Sequence, residues 1–352
     1  MTRPCGLTAV LATLVCGAAA LAEDAPQLVA VREVPGAKRV DVTVDGRPFT
    51  AYVWPDRLAK PVLYPIRSAS GTLVTRGFPL EPRPGERVDH PHQVGFWFNY
   101  GDVNGVDFWG NSEAIKPEER ARMGEIRHRK ILKMRSGSGQ GELEVLSDWV
   151  LPGGGVGLEE QTWFVFRAAS GSRSIDRLAT LTAKGGKVTF GDTKEGMLGL
   201  RVARALEHPA DKPEVFTDAS GKPTPVPVLD NAGVTGVYHS SEGVTGDAVW
   251  GKRARWMALT GRVGDEDVTL VLLDHPKNPG YPTYWHARGY GLFAANPFGA
   301  KAFTNEKANA PAHSLEAGAQ ARFRHRLLIL PGSFTVKNAE AAWQAFVAEH
   351  RE

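Results

Sequence analysis

Apolar residues recur at every second position through much of the chain. Val40, Val42 and Val44 share one face of a strand, Asp45-Gly46-Arg47-Pro48 turns it, and 49–54 resumes as its partner, so the spacing predicts a hairpin. The same alternation predicts strands at 63–68, 94–100, 128–134, 142–149, 161–166, 174–182, 198–203, 255–260, 268–273, 290–295 and 323–330. Most of these runs are bounded by Gly, Pro, Asn or Asp. Many short strands separated by turns predict an all-β fold, a large antiparallel β-sandwich rather than alternating βα units. One segment breaks the pattern: Ala339, Trp343, Phe346, Val347 and His350 share a helical face, which predicts a short C-terminal helix over 338–350, capped by Asn338 and packed across a sheet edge. A shorter helix or irregular loop is expected within 112–122, and a long loop over 207–233. No repeat or low-complexity linker divides the chain, so 23–352 is expected to form a single domain.

The first 22 residues stand outside this pattern. Arg3, an apolar stretch from Leu7 to Ala20 and Ala20-Leu21-Ala22 before Glu23 read as a secretory signal peptide, which predicts a periplasmic or secreted protein. That stretch is short for a membrane span and no later run approaches the roughly 20 apolar residues spanning needs, so no membrane insertion is expected. Cys5 and Cys16 both lie inside the predicted leader. A body of 330 of the 352 residues without a thiol excludes disulfides, Cys-ligated zinc, iron–sulfur clusters and thiol nucleophiles. Interspersed charge, 42 basic against 39 acidic residues and a net +3, gives no reason to expect a nucleic-acid partner. No partner protein can be inferred either.

Three segments concentrate polar and aromatic side chains. In the first, Asp89-His90-Pro91-His92-Gln93 leads towards Phe96-Trp97-Phe98, then Gly101-Asp102-Val103-Asn104-Gly105 and Asp107-Phe108-Trp109. On an extended segment the His90 and His92 imidazoles project to the same side, where they serve as acid or base, share a metal, or simply finish a strand end. In the second, Glu195 sits in the glycine-flanked run 191–199, ahead of Arg201. The third runs from Asp274-His275-Pro276 to Trp285-His286-Ala287-Arg288, with His286 and Arg288 on one face. Both Asp-His-Pro triplets read as strand ends stopped by proline. Nine tryptophans, with Trp97, Trp109, Trp250 and Trp285 in or near these clusters, suit the apolar faces of sugar rings, although core packing competes for each of them. No phosphate-binding loop, Gly-x-Ser-x-Gly elbow or His-Glu-x-x-His motif is present.

Taken in order, Asp89-His90-Pro91-His92 with Gly101 to Gly105 and Asp107-Phe108-Trp109, Lys194-Glu195-Gly196 with Gly199 and Arg201, and Asn278-Pro279 with Trp285 to Arg288, Tyr290-Gly291 and Asn296-Pro297-Phe298 resemble the PmoA-like family of exported bacterial proteins, over roughly 40–330. Where relatives often carry a further His, this chain has Gln93. The family's "methane oxygenase" label belongs to a membrane enzyme whose helices this chain lacks. The resemblance implies a β-sandwich similar in general shape to galactose-mutarotase-like domains, and a carbohydrate ligand. The expected function is a carbohydrate-active hydrolase, lyase or epimerase. Its catalytic candidates are His90, His92, Glu195 and His286. Asp89, Asn104, Asp107, Trp109, Arg201, Trp285 and Arg288 are the substrate-binding candidates. No cofactor is expected. The competing readings are a non-catalytic glycan-binding protein and a metal-dependent oxidoreductase in which His90, His92 and His286 hold a divalent ion.

Overall fold

The computed structural model describes residues 1–2, 26–307, 311–332 and 335–351. Most of the predicted leader, with both cysteines, lies outside the described residues. Two antiparallel sheets face one another. The first holds nine strands in the order Tyr284–Arg288, Leu292–Asn296, Gly196–Arg201, Phe96–Tyr100, Val62–Leu63, Arg47–Val53, Arg39–Val44, Leu28–Glu33 and Gly137–Ser138. The second holds eight: Val237–Ser240, Trp256–Val263, Glu266–Asp274, Gln320–Pro331, Ser172–Ala183, Val156–Ala169, Gln140–Val150 and Glu125–Arg135. The expected antiparallel β-sandwich is the fold.

The expected hairpin pairs Arg39–Val44 with Arg47–Val53, and Asp45 and Gly46 both take positive φ. Those angles make the turn whose twist matches its strands. Alternation then drives the packing: Val40, Val42, Phe98, Leu198, Leu200 and Phe293 of the first sheet meet Leu143, Phe164, Ile175, Phe323 and Leu327 of the second in one continuous core. Burial of this kind is the main force holding the sheets together.

Both outer faces are also partly covered. On the eight-stranded sheet, Trp256, Ala258, Val271 and Leu273 receive Ala339 and Phe346 of the C-terminal helix. That helix spans Val336–Glu349 and lies on the sheet's face rather than across an edge. Thr335, not Asn338, is its cap, with Oγ1 accepting the Asn338 N–H at 3.1 Å. Within 112–122 the helical part is a 3₁₀ segment, Pro117–Arg122, and the expected long loop after 207 contains a small hairpin, Glu214–Thr217 with Pro223–Val226. No helix among the described residues is long and apolar enough to cross a membrane.

The outer face of the nine-stranded sheet positions the candidate chemistry. Ala51, Val53, Val62, Tyr64, Val94, Trp97, Trp109, Leu292 and Ala294 form a second apolar layer there. Trp97, Gly199, Ala294 and His286 stand in register across four adjacent strands. Gly199 is required: a Cβ on it would lie 2.3 Å from Cζ2 of Trp97, whose indole therefore lies across the glycine.

Candidate functional site

Residues 89–93 form a turn instead of the expected extended segment. The Gln93 N–H donates to the His90 carbonyl at 2.9 Å, and His90 has φ +43. A non-glycine residue in the left-handed region, directly before a proline, is held there by its surroundings. Two arginines do the holding. Arg76 Nη1 donates to the Asp89 carbonyl (2.8 Å) and carboxylate, while its Nη2 donates to the carbonyls of His90 (3.1 Å) and Gln93 (3.0 Å). Arg201 donates Nη2 to Asp89 Oδ1 at 2.6 Å and Nη1 to the Gln93 side chain. Arg76 and Arg201 are 1% and 0% exposed. Burial alone would raise the Asp89 carboxyl; the hydrogen bond from His90 and the charges of Arg201 and Arg76 outweigh it and hold the group well below the usual carboxylate range.

The product of this cage is one oriented histidine. Asp89 Oδ2 accepts from His90 Nδ1 at 2.8 Å, and the His90 ring stacks on Tyr290 with centroids 5.0 Å apart and planes 2° from parallel. Arg201 lies 4.7 Å from the Tyr290 ring. The His90 side chain remains 42% exposed. Its Nδ1 is thus engaged and Nε2 is available on the sheet face.

His92 lies beside it, ring centroids 5.6 Å apart and nearly perpendicular. Burial, with Lys60 nearby, pushes the His92 imidazole well below its ordinary value. Lys60 itself is buried, donates Nζ to the His92 carbonyl at 2.7 Å and sits 5.8 Å from the Trp97 ring. Burial lowers its ammonium to about 7, against the pull of Asp107.

Asp107 accepts from the N–H groups of Trp109 (2.7 Å) and Gly110 (2.8 Å) through Oδ1. Burial raises its carboxyl, and the nearby negative charge of Glu195 adds to the rise. Glu195 enters from the segment ahead of Gly196–Arg201, with its carbonyl accepting the Gly101 N–H at 2.7 Å and its carboxylate paired with Lys194. The Lys194 carbonyl in turn accepts from His286 Nδ1 at 2.8 Å. Burial takes the His286 imidazole down to about 4, opposed by Glu195, so the ring is neutral above that pH and Nε2 keeps its lone pair. Tyr290 feels the charge of Glu195 as well. His90, Tyr290, Glu195, Asp107 and His286 therefore occupy one connected region of the outer face.

Several expected members fall elsewhere. Trp285 precedes His286 on its strand and points the opposite way, into the core between the sheets, where Nε1 donates to the Ala254 carbonyl at 3.0 Å. Asn104 belongs to a turn: with φ +52, followed by Gly105 at +80, it donates to the Lys187 carbonyl and accepts the Thr189 N–H. Asp89 and Arg201 bond to each other and to Arg76, His90 and Gln93, so they position the turn. Trp109 is buried, its ring 5.2 Å from that of Trp97, and forms floor. Arg288 is exposed, with its guanidinium 5.4 Å from the Trp250 ring.

The expected metal set is not assembled. Among the described residues, Asp176, Glu349 and His350 bring ligand atoms within 4.8 Å of one another, and His90, His92 and His286 do not. In the Asp176 group the carboxylate already accepts from Arg326, Arg167 and His350, which is an ion-pair network fastening the C-terminal helix. The second Asp-His-Pro triplet ends the Glu266–Asp274 strand as expected and is structural: Asp274 accepts from Asn278 Nδ2 (2.7 Å) and the Thr283 N–H (2.9 Å). Arg76, Tyr290 and Lys60, absent from the expected site, are the residues that complete it.

No curated protein matches the sequence. Among solved structures, a GH36 alpha-galactosidase from Geobacillus stearothermophilus is similar at 13% identity and a TM-score of 0.42, over 86% of this chain and 41% of that one. A galactose mutarotase-like protein from Clostridium acetobutylicum is similar at 9% identity and a TM-score of 0.41, over 87% of this chain and 99% of the other. The chain thus spans about two fifths of the galactosidase's length. The sequence matches a family of unknown function, DUF6807, over residues 39–344, and the chain belongs to that family.

Proposed function

We propose that this chain is an exported carbohydrate-active enzyme, a hydrolase, lyase or epimerase, that moves protons on a sugar held against the outer face of the nine-stranded sheet. The observation that carries the reading is the Asp89–His90 pair. Two buried arginines, one gathering the turn carbonyls and the other its side-chain oxygens, and a stacked tyrosine converge to aim one exposed imidazole across a face that also holds Glu195, Asp107 and His286. Burying two guanidinium groups is costly, and a solvated surface histidine needs no such support.

All three reaction classes need a group that takes a proton and a group that delivers one. A neutral His286 with a free Nε2 and the Glu195 carboxylate are acceptors, and Asp107, whose carboxyl burial raises, is the candidate donor. His90 acts at the other end of the face, and Arg288 beside Trp250 meets hydroxyls or a sugar carboxylate at the rim.

The test is turnover of a panel of glycans by the wild type and by Glu195→Gln, His90→Gln and His286→Gln. Loss of one proton-transfer group is expected to cost roughly 10²–10⁴-fold in kcat, with sugar affinity retained. Turnover indifferent to all three substitutions would sink the proposal. Sugar binding by a wild type that turns over no glycan would favour the non-catalytic glycan-binding protein.

A further inference from the structure

A depression of about 400 Å³ lies beside the site, where Pro91, His92, Asp107 and Gly110 share the lining with residues of 112–123, among them Ala114, Ile115, Glu119, Arg122 and Met123. Its volume falls in the range of roughly 300–1,000 Å³ that small-molecule sites occupy. We infer that this depression is the subsite for a second sugar unit, so that the substrate is an oligosaccharide rather than a free monosaccharide, with Asp107 at the boundary between its two units. The inference rests on the carbohydrate reading above and adds to it the length and placement of the substrate.

Three features support it. The depression is preformed: the Asp107 N–H donates to the Arg122 carbonyl (2.8 Å), the Gly124 N–H to the Asp107 carbonyl (2.9 Å) and Asn111 Nδ2 to the Gly124 carbonyl (2.9 Å), so the two ends of the wall are laced together at Asp107. Asp107 turns its second oxygen over Gly110, where an added Cβ would come within 2.6 Å of Oδ2. The missing side chain leaves that oxygen open to the space Gly110 lines, while Oδ1 is taken up by backbone donors. The lining is also amphipathic. Ile115, Ala114, Met123 and Pro91 present carbon, and among the described residues no hydrogen bond or ion pair engages the side chains of Glu119 and Arg122. An apolar wall with uncommitted polar groups around it matches a pyranose, with its CH face and its ring of hydroxyls.

Because His92 and Asp107 line the depression and also belong to the histidine and carboxylate group of the site, a chain lying across the boundary meets Glu195 and His286 with one unit and the 112–123 wall with the next. A donor at the boundary is where a linkage between units needs its proton.

The experiment is isothermal titration calorimetry of the full chain with three probe sets: glucose, maltose and cellobiose; galactose and β-1,4-galactobiose; mannose and β-1,4-mannobiose. It is run on the wild type and on Ala114→Trp, which fills the depression, with Ala114→Ser as the control and circular dichroism to confirm folding. For the sugar that binds, the disaccharide is expected to bind at least about tenfold tighter than its monosaccharide, a difference of about 1.4 kcal/mol. Ala114→Trp is expected to shrink that ratio towards one, and Ala114→Ser to keep it. A disaccharide that binds no tighter than the monosaccharide overturns the subsite and leaves the sugar site standing. So does a ratio that Ala114→Trp leaves untouched. Failure of every sugar to bind overturns the carbohydrate reading and the subsite with it.

Discussion

Replacing Asp89 with Asn removes the carboxylate shared by Arg76 and Arg201, both of which are buried, while keeping the size of the side chain. Breaking a buried ion pair by deleting one partner costs about 3–5 kcal/mol, because the remaining charge is left uncompensated. The amide of the variant would still offer one carbonyl oxygen to the arginines, which favours the lower end, about 3 kcal/mol. For a body of this size an unfolding entropy of about 2.1 cal/mol/K per residue amounts to ~0.7 kcal/mol/K. The melting temperature should therefore fall by about 4 °C at pH 7. The pH dependence supplies a second check. The folded carboxyl lies below its unfolded value of 3.8, so its stabilisation is complete above about pH 5 and is lost as pH falls through the lowered folded value. The gap between wild type and Asp89→Asn should narrow as pH falls below 4. Calorimetric unfolding of both proteins across that range measures it. A change in Tm below about 1 °C at pH 7, or a gap that widens as pH falls below 4, would refute the neutralisation of the two arginines by Asp89.

Other consequences follow from single contacts. Lys60→Met should stabilise the protein by up to a few kcal/mol below pH 7: the folded lysine, lowered to about 7 against 10.5 unfolded, binds fewer protons through the window between those values, so wild-type stability rises with pH and the variant's advantage vanishes above about pH 10.5. Urea unfolding at pH 6 and pH 10.5 reads the difference, and equal effects at both would count against a buried ammonium. Gly199→Val should displace the Trp97 indole and cost about 1–3 kcal/mol, visible as a change in near-ultraviolet circular dichroism. An unchanged aromatic spectrum would contradict the packing of Trp97 over Gly199. Thr335→Ala should lose about 1 kcal/mol in thermal unfolding by removing the helix cap, and Asn338→Ala should lose almost nothing.

The sandwich is legible in the chain because buried sheet faces impose an alternation of two, and that alternation is local. Strands 140–150, 156–169, 172–183 and 320–331 are long and paired on both sides, and the spacing marks each of them. The short edge strand Tyr284–Arg288 escapes the pattern, yet its parity is present in the sequence: His286 and Arg288 share a face, so Trp285 between them must turn inward. Asn104 reads as a ligand contact only when its neighbour is ignored, since Asn-Gly is a turn signature and both residues adopt the positive φ such a turn needs. The arginine cage is of another kind. Arg76 reaches Asp89 from 13 residues away and Arg201 from 112, and no periodicity marks either. The turn that lifts His90 into the left-handed region is held because Arg76 collects its carbonyls while Arg201 ties the Asp89 and Gln93 side chains, so 89–93 alone reads as extended. Lys60 is silent for the same reason, since its meaning comes from the burial that Trp97 and the His92 carbonyl create around it.

The outer face of the nine-stranded sheet should hold a sugar between His90 and His286. The most direct measurement is a crystal structure of the protein soaked with whichever oligosaccharide it binds, using Glu195→Gln to slow turnover. A sugar ring is expected within hydrogen-bond distance of His286 Nε2 and the side chain at position 195, with a neighbouring unit passing Asp107 towards Ile115 and Met123. A sugar bound only elsewhere on the molecule, with His90, Tyr290 and His286 bare, would contradict it.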